Sequence, residues 1–168
     1  MWLDSADHLH LKISHRGGKW SCAEITMQKR LGFGRYEFQT TGWLDRLDDN
    51  VVLGLFNYPT TDVGPDGTHE IDIEFARWGE ARNPLGNFTV WPVERELKQV
   101  SKAFPVVLTG GEATHRFTWS VSPKWVFFRQ GFRDLLPQPE SVTRKLGNLV
   151  APAARAALAP LLETLPPR

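Results

Sequence analysis

From Leu9 to about residue 131, apolar and polar positions alternate in short segments separated by Gly, Pro, Asn and Asp. This is the pattern of an antiparallel all-β domain. Leu9, Leu11 and Ile13 alternate with polar neighbours, and Tyr36 and Phe38 do so after the turn holding Gly32 and Gly34. The run from Val51 to Phe56 is more continuously apolar and predicts a strand covered on both faces. Clearest is the stretch 69–78, where Ile71, Ile73 and Phe75 fall on one face and Glu70, Asp72 and Glu74 on the other. A further strand is expected over 87–93, and 114–131 reads as a hairpin closed near Ser122 and Pro123, with Trp119 and Trp125 mostly in the core.

After Pro137 the texture changes to an Ala, Leu and Pro mixture whose best reading is a short helix broken by Pro160. The expected organisation is one antiparallel β-sandwich over 1–137 and a short helical or irregular tail over 138–168. A chain of 168 residues can bury one sizeable core. With 41% hydrophobic and 23% charged residues it is globular rather than disordered.

Charge and motif content exclude several classes. A net charge of +1 with scattered basic residues argues against a nucleic-acid partner. No apolar window of about 18 residues predicts a membrane span, and residues 1–13 lack the basic-then-apolar pattern of a signal peptide. The single cysteine, Cys22, leaves no internal disulfide and no zinc set. His69-Glu70 is followed by Ile73 where a zinc-protease helix needs histidine, and the Gly32/Gly34 pair lacks the third glycine of a dinucleotide site. No metal, no cofactor and a monomeric state are expected. Asn87-Phe88-Thr89 matches a glycosylation tripeptide but lies inside a predicted strand.

Candidate chemistry centres on the carboxylate row. Three like charges on one strand face are destabilising unless the site uses them. Paired carboxyls about 5 to 5.5 Å apart serve retaining glycosidases as nucleophile and acid/base, and crowding keeps a proton within such a group. A solvated strand face or a calcium site built from the same side chains stays open at this point. Seven tryptophans are many for this length. Phe56 and Tyr58 lie two apart on one strand face, as do Thr89 and Trp91 on another, so each pair is placed to line a surface facing the carboxylates. Tyr58 and Trp91 read as sugar-stacking groups; burial explains Phe56 and Trp78 equally well.

The string Glu70-Ile71-Asp72-Ile73-Glu74-Phe75 resembles the catalytic signature of glycoside hydrolase family 16, the laminarinase and lichenase family. The resemblance extends over roughly residues 9–131 through the 31–38 segment, the run ending at Phe56, and Phe117-Thr118-Trp119 with Gly131. It implies a jelly-roll, concanavalin A-like sandwich with retaining chemistry, Glu70 as nucleophile, Glu74 as acid/base and Asp72 hydrogen-bonding the nucleophile. Cys22-Ala23-Glu24 resembles the family segment whose glutamate reaches sugar hydroxyls, and Phe56, Tyr58, Trp78 and Trp91 fall where the family places cleft aromatics. The unbroken Glu-x-Asp-x-Glu spacing is similar to the lichenase-like branch and implies a mixed-linkage or β-1,3-glucan substrate. An extracellular or periplasmic location follows from the same resemblance. The family's usual first strand and its late tryptophan-bearing strand find no counterpart, so an incomplete sandwich is expected. A transglycosylase of the same family, a carbohydrate-binding or inactive homologue, and a calcium-stabilised structural domain are the alternatives.

Overall fold

The computed structural model describes residues 1–120 and the backbone of two strands at 125–132 and 143–145. The chain divides into two compact units, Met1–Gly32 and Phe33–Arg168. The stretch 1–32, which the sequence pattern groups with the sandwich, is therefore a unit of its own. Within the tail, residues 143–145 form a strand paired antiparallel with 125–127, where the sequence reads as helical or irregular; the rest of the tail, the boundary at 137 and the side chain of Trp125 lie outside the described residues.

The first unit is two small hairpins. In β1 (Trp2–Leu3) and β2 (Leu9–His10), the intervening turn is organised by Asp4, whose Oδ1 accepts from the amides of Ala6 and His8 at 2.9 and 3.0 Å. Trp2 stacks on His10 with centroids 4.5 Å apart. Pairing stops at His10, so the strand expected through Ile13 is shorter, and Leu9, Leu11 and Ile13 are exposed. Strands β3 (Ser14–Arg16) and β4 (Lys19–Ser21) are joined by Gly17 and Gly18, both at positive φ, which is what a two-residue hairpin turn matched to strand twist requires.

Among the described residues the second unit carries two four-stranded antiparallel sheets. Its strands are β5 (Gly34–Thr41), β6 (Leu53–Asn57), β7 (Ile71–Phe75), β8 (Gly86–Val90), β9 (Val100–Phe104), β10 (Glu112–Trp119), β11 (Trp125–Phe132) and β12 (Thr143–Lys145). One sheet runs β12-β11-β10-β5 and the other β6-β7-β8-β9. Among the described residues the only helical element is a 3-10 turn at Leu44–Arg46. Period-2 alternation decides which side chains enter the core. Ile71, Ile73, Phe75, Phe88 and Phe104 from the β7 sheet join Phe117 in one buried cluster, with Tyr36, Phe38 and Trp119 packed against it. Phe75 meets the ring of His115 at 4.8 Å across this core.

Strand β6 corrects one expectation. Its Leu53 and Leu55 face the core, but Gly54 and Phe56 are exposed, so it is covered on one side only. Its neighbour in the sheet is β7 on one flank, and its outer face is the one that carries the carboxylates.

Candidate carboxylate site on strand β7

The cross-strand register builds the site. Phe56, Asp72, Thr89 and Ser101 form one row across the sheet, and Gly54, Glu74, Asn87 and Ala103 form the next. Glu70 precedes β7, and its carbonyl accepts from the Trp91 amide at 2.8 Å, which extends the ladder one step further. Six residues expected from the sequence thus share one surface: Glu70, Asp72, Glu74, Phe56, Tyr58 and Trp91. The apolar face of the same strand is held in the core by Ile71, Ile73 and Phe75, so the carboxylates cannot turn inward without a register slip.

Asp72 is the buried member, at 5% exposure, and Glu70 and Glu74 are half-buried. Trp91 Nε1 donates to Asp72 Oδ2 at 2.9 Å. Asn87 Nδ2 donates to Glu74 Oε2 at 3.1 Å and to Thr89 Oγ1 at 3.0 Å, and that hydroxyl lies 3.0 Å from Ser101 Oγ. Burial, followed by the charge of Glu70, pushes the Asp72 carboxyl up to about 8, although the Trp91 hydrogen bond opposes the shift. Burial also raises Glu70; a hydrogen bond from Asp72 pulls the other way, and the charges of Glu74 and Asp66 add to the rise. At neutral pH the proton that crowding retains therefore sits on Asp72, which donates to the Glu70 carboxylate.

Aromatic groups flank the row. Phe56 lies across from Asp72, and Tyr58, 49% exposed, meets Phe56 edge-on at 6.3 Å. Burial and a hydrogen bond to Asp66 raise the Tyr58 phenol, with the charges of Asp66, Glu70 and Asp72 contributing. Trp91 presents its indole N–H to the carboxylates and a ring face to Gly67, where an added Cβ would lie 3.8 Å from Cε3 and Cζ3. Gly54, beside Glu74, leaves the surface open: a Cβ there would touch only the Phe56 ring, at 3.4 Å.

Two expected residues are placed elsewhere. Trp78 sits past the end of β7 in a left-handed conformation (φ 56°) and is 58% exposed, outside the carboxylate rows. Glu24 belongs to the N-terminal unit, where it is exposed and accepts from Thr26 Oγ1 at 3.4 Å. Conversely, Asn87, Ser101 and Asp66 join the site without having been singled out as its members. The alternation of Asn87, Thr89 and Trp91 opposite Glu74, Asp72 and Glu70 carried the signal for the first, whose amide is engaged with Glu74. No pattern marks Asp66, which lies in a loop. Among the described residues no group of three or more His, Cys, Asp or Glu converges as a metal site would. Comparison with protein-family models, curated proteins and solved structures gave no match.

Proposed function

We propose that the chain is a retaining endo-glycoside hydrolase of the family 16 type, cleaving β-linked glucan-like polysaccharide, and that its two-sheet unit is a jelly roll of the concanavalin A-like kind. Glu70 attacks the anomeric carbon while Glu74, which enters the cycle carrying a proton of its own, gives it to the departing glycosidic oxygen; Glu74 then takes a proton from water, whose oxygen displaces the sugar from Glu70 and leaves Glu74 protonated again. Asp72 orients Glu70 by donating a hydrogen bond. As Glu70 loses its charge to the glycosyl bond, the electrostatic reason for Asp72 to keep its proton weakens, and the reverse holds on release.

The observation that carries this reading is the buried Asp72, which accepts from Trp91 Nε1 and lies on the same strand face as Glu70 and Glu74. A solvated strand face has no need of a buried acid bridging two functional groups, and the exposed Phe56 and Tyr58 supply apolar surface for sugar rings. Substrate location outside the cell or in the periplasm accords with a polymeric glucan, and the reaction needs no cofactor.

The test is reducing-end release from mixed-linkage, β-1,3 and β-1,4 glucans and galactans by the wild type and Glu70→Ala. The expected result is cleavage of a β-glucan, with roughly a thousandfold or greater loss in the variant. Longer oligosaccharides in place of new reducing ends identify a transglycosylase. A folded wild type that binds glucan and leaves all of the polymers intact is a carbohydrate-binding homologue, and the hydrolase reading fails.

A further inference from the structure

We propose that Asn57 and His69 are positioning residues for Glu70: together they hold the peptide that leads into the nucleophile in a turned orientation, so that its carboxylate is aimed before substrate arrives. The proposal rests on the glycoside hydrolase reading above and adds to it the residues that set its nucleophile.

In a regular antiparallel ladder, the amide and the carbonyl of one residue bond to the same neighbouring strand. His69 departs from this. Its amide donates to the Pro92 carbonyl at 3.0 Å, just beyond the end of β8, whereas its carbonyl accepts from Asn57 Nδ2 of β6 at 2.9 Å. The left-handed backbone of His69 (φ 57°) turns the peptide between His69 and Glu70 in this way. The Glu70 carbonyl then accepts from the Trp91 amide at 2.8 Å. The peptide entering the nucleophile is thus held from the β6 flank and the peptide leaving it from the β8 flank.

Three local costs meet at this one place in the chain. A left-handed conformation is strained for a residue with a Cβ. Asn57 Oδ1 is buried and meets no donor among the described residues, so keeping this side chain leaves an acceptor unsatisfied. Gly64 admits no side chain, because a Cβ there would lie 2.6 Å from His69 Nδ1 and 2.7 Å from Thr68 Oγ1. The imidazole is fixed in return. Thr68 is fully buried and gives its hydroxyl hydrogen to the Pro65 carbonyl at 2.7 Å, so in the 2.9 Å contact between that oxygen and His69 Nδ1 the ring is the donor. Folding alone is better served by glycine at 69 and an apolar residue at 57. Local preferences overruled in this way beside a reacting group mark a functional constraint.

The experiment measures kcat and KM on the β-glucan that the wild type cleaves, together with thermal melts, for Asn57→Leu, His69→Gly and His69→Asn. Asn57→Leu removes the donor and the unsatisfied acceptor together, and His69→Gly relieves the backbone while removing the ring. His69→Asn keeps a residue that tolerates the left-handed backbone and has a side-chain N–H to offer Thr68. The expected result is a kcat lower by about tenfold or more in the first two variants, with KM within about twofold of wild type and melting temperatures close to it, and recovery of most of the kcat in His69→Asn. Full kcat in both Asn57→Leu and His69→Gly, a loss carried by KM, or a loss that only follows a fall in melting temperature overturns the positioning role, while cleavage by the wild type leaves the hydrolase standing. If Asn57→Leu does not fold, the kcat of His69→Gly against that of His69→Asn decides alone. A folded wild type that cleaves no β-glucan overturns the hydrolase and the positioning role with it.

Discussion

Asp72 and His115 are both buried titratable groups, and their effects on stability run in opposite directions with pH. Asp72 titrates near 8 in the folded chain against about 3.9 when unfolded, so the native state binds the extra proton and stability falls as pH rises from about 4 to 8. His115 is fully buried in the core, its Nε2 2.9 Å from Thr40 Oγ1, and burial lowers it to about 4. The unfolded state, with a histidine near 6.5, binds the extra proton there, so stability falls as pH drops from about 6.5 to 4. Of these two slopes, which oppose each other below 6.5, only that of Asp72 continues from 6.5 to 8, and the rise of Glu70 acts in the same direction as Asp72. Asp72→Asn is therefore expected to flatten the fall in melting temperature between pH 6.5 and 8 and to expose the His115 slope on the acid side, both measurable by thermal melts across pH. A variant whose profile parallels wild type throughout would show that Asp72 is not the buried acid. Trp91→Phe removes the donor that favours the ionised Asp72, so it is expected to cost about 1 kcal/mol in denaturant unfolding at neutral pH and more above pH 8. The carboxylate row and Trp91 were legible in the sequence because strand alternation fixes which side chains share a face. The protonation of Asp72 was not, since it depends on how deeply the cross-strand neighbours bury it.

Two glycines separate the demands of folding from those of the surface. On β8, a Cβ at Gly86 would come within 2.3 Å of the Phe104 ring, whose buried position leaves it little room to yield. Gly86→Ala is expected to destabilise the chain by about 2 kcal/mol or more, read by denaturant unfolding. On β6, Gly54 faces outward beside Glu74 with ordinary contact distances, and a β-branched residue suits an exposed strand position. Gly54→Val is expected to leave the melting temperature within a few degrees of wild type and to abolish glucan cleavage by filling the space before Glu74; unchanged activity would remove Gly54 from the substrate path. Strand β7 was legible in full because its apolar and acidic positions alternate without exception. Strand β9 was missed because Ser101, Lys102 and Ala103 are all exposed and leave only Val100 and Phe104 to mark it. The run ending at Phe56 misled in the other direction, since an apolar stretch reads as doubly covered even where glycine and an exposed phenylalanine face outward.

At the scale of the whole molecule, the all-β antiparallel architecture follows from the short alternating segments and their Gly and Pro punctuation, whereas the separate N-terminal unit does not. Its hairpins pair locally through Asp4 and the Gly17-Gly18 turn, and such local pairing leaves the same alternation in sequence as a strand of the larger sheets. The second unit brings strands from distant parts of the chain together, so that one face of the β6-β7-β8-β9 sheet seals the core and the other presents Glu70, Asp72 and Glu74 with their aromatic flank. The central claim is that this face performs double-displacement hydrolysis of a β-glucan. Proton NMR of the anomer first released by the wild type from mixed-linkage β-glucan tests it most directly. The account predicts β product first, followed by slow mutarotation to α, and loss of all product in Glu70→Ala. The α anomer appearing first, or no product from a folded chain on any β-glucan, would contradict it.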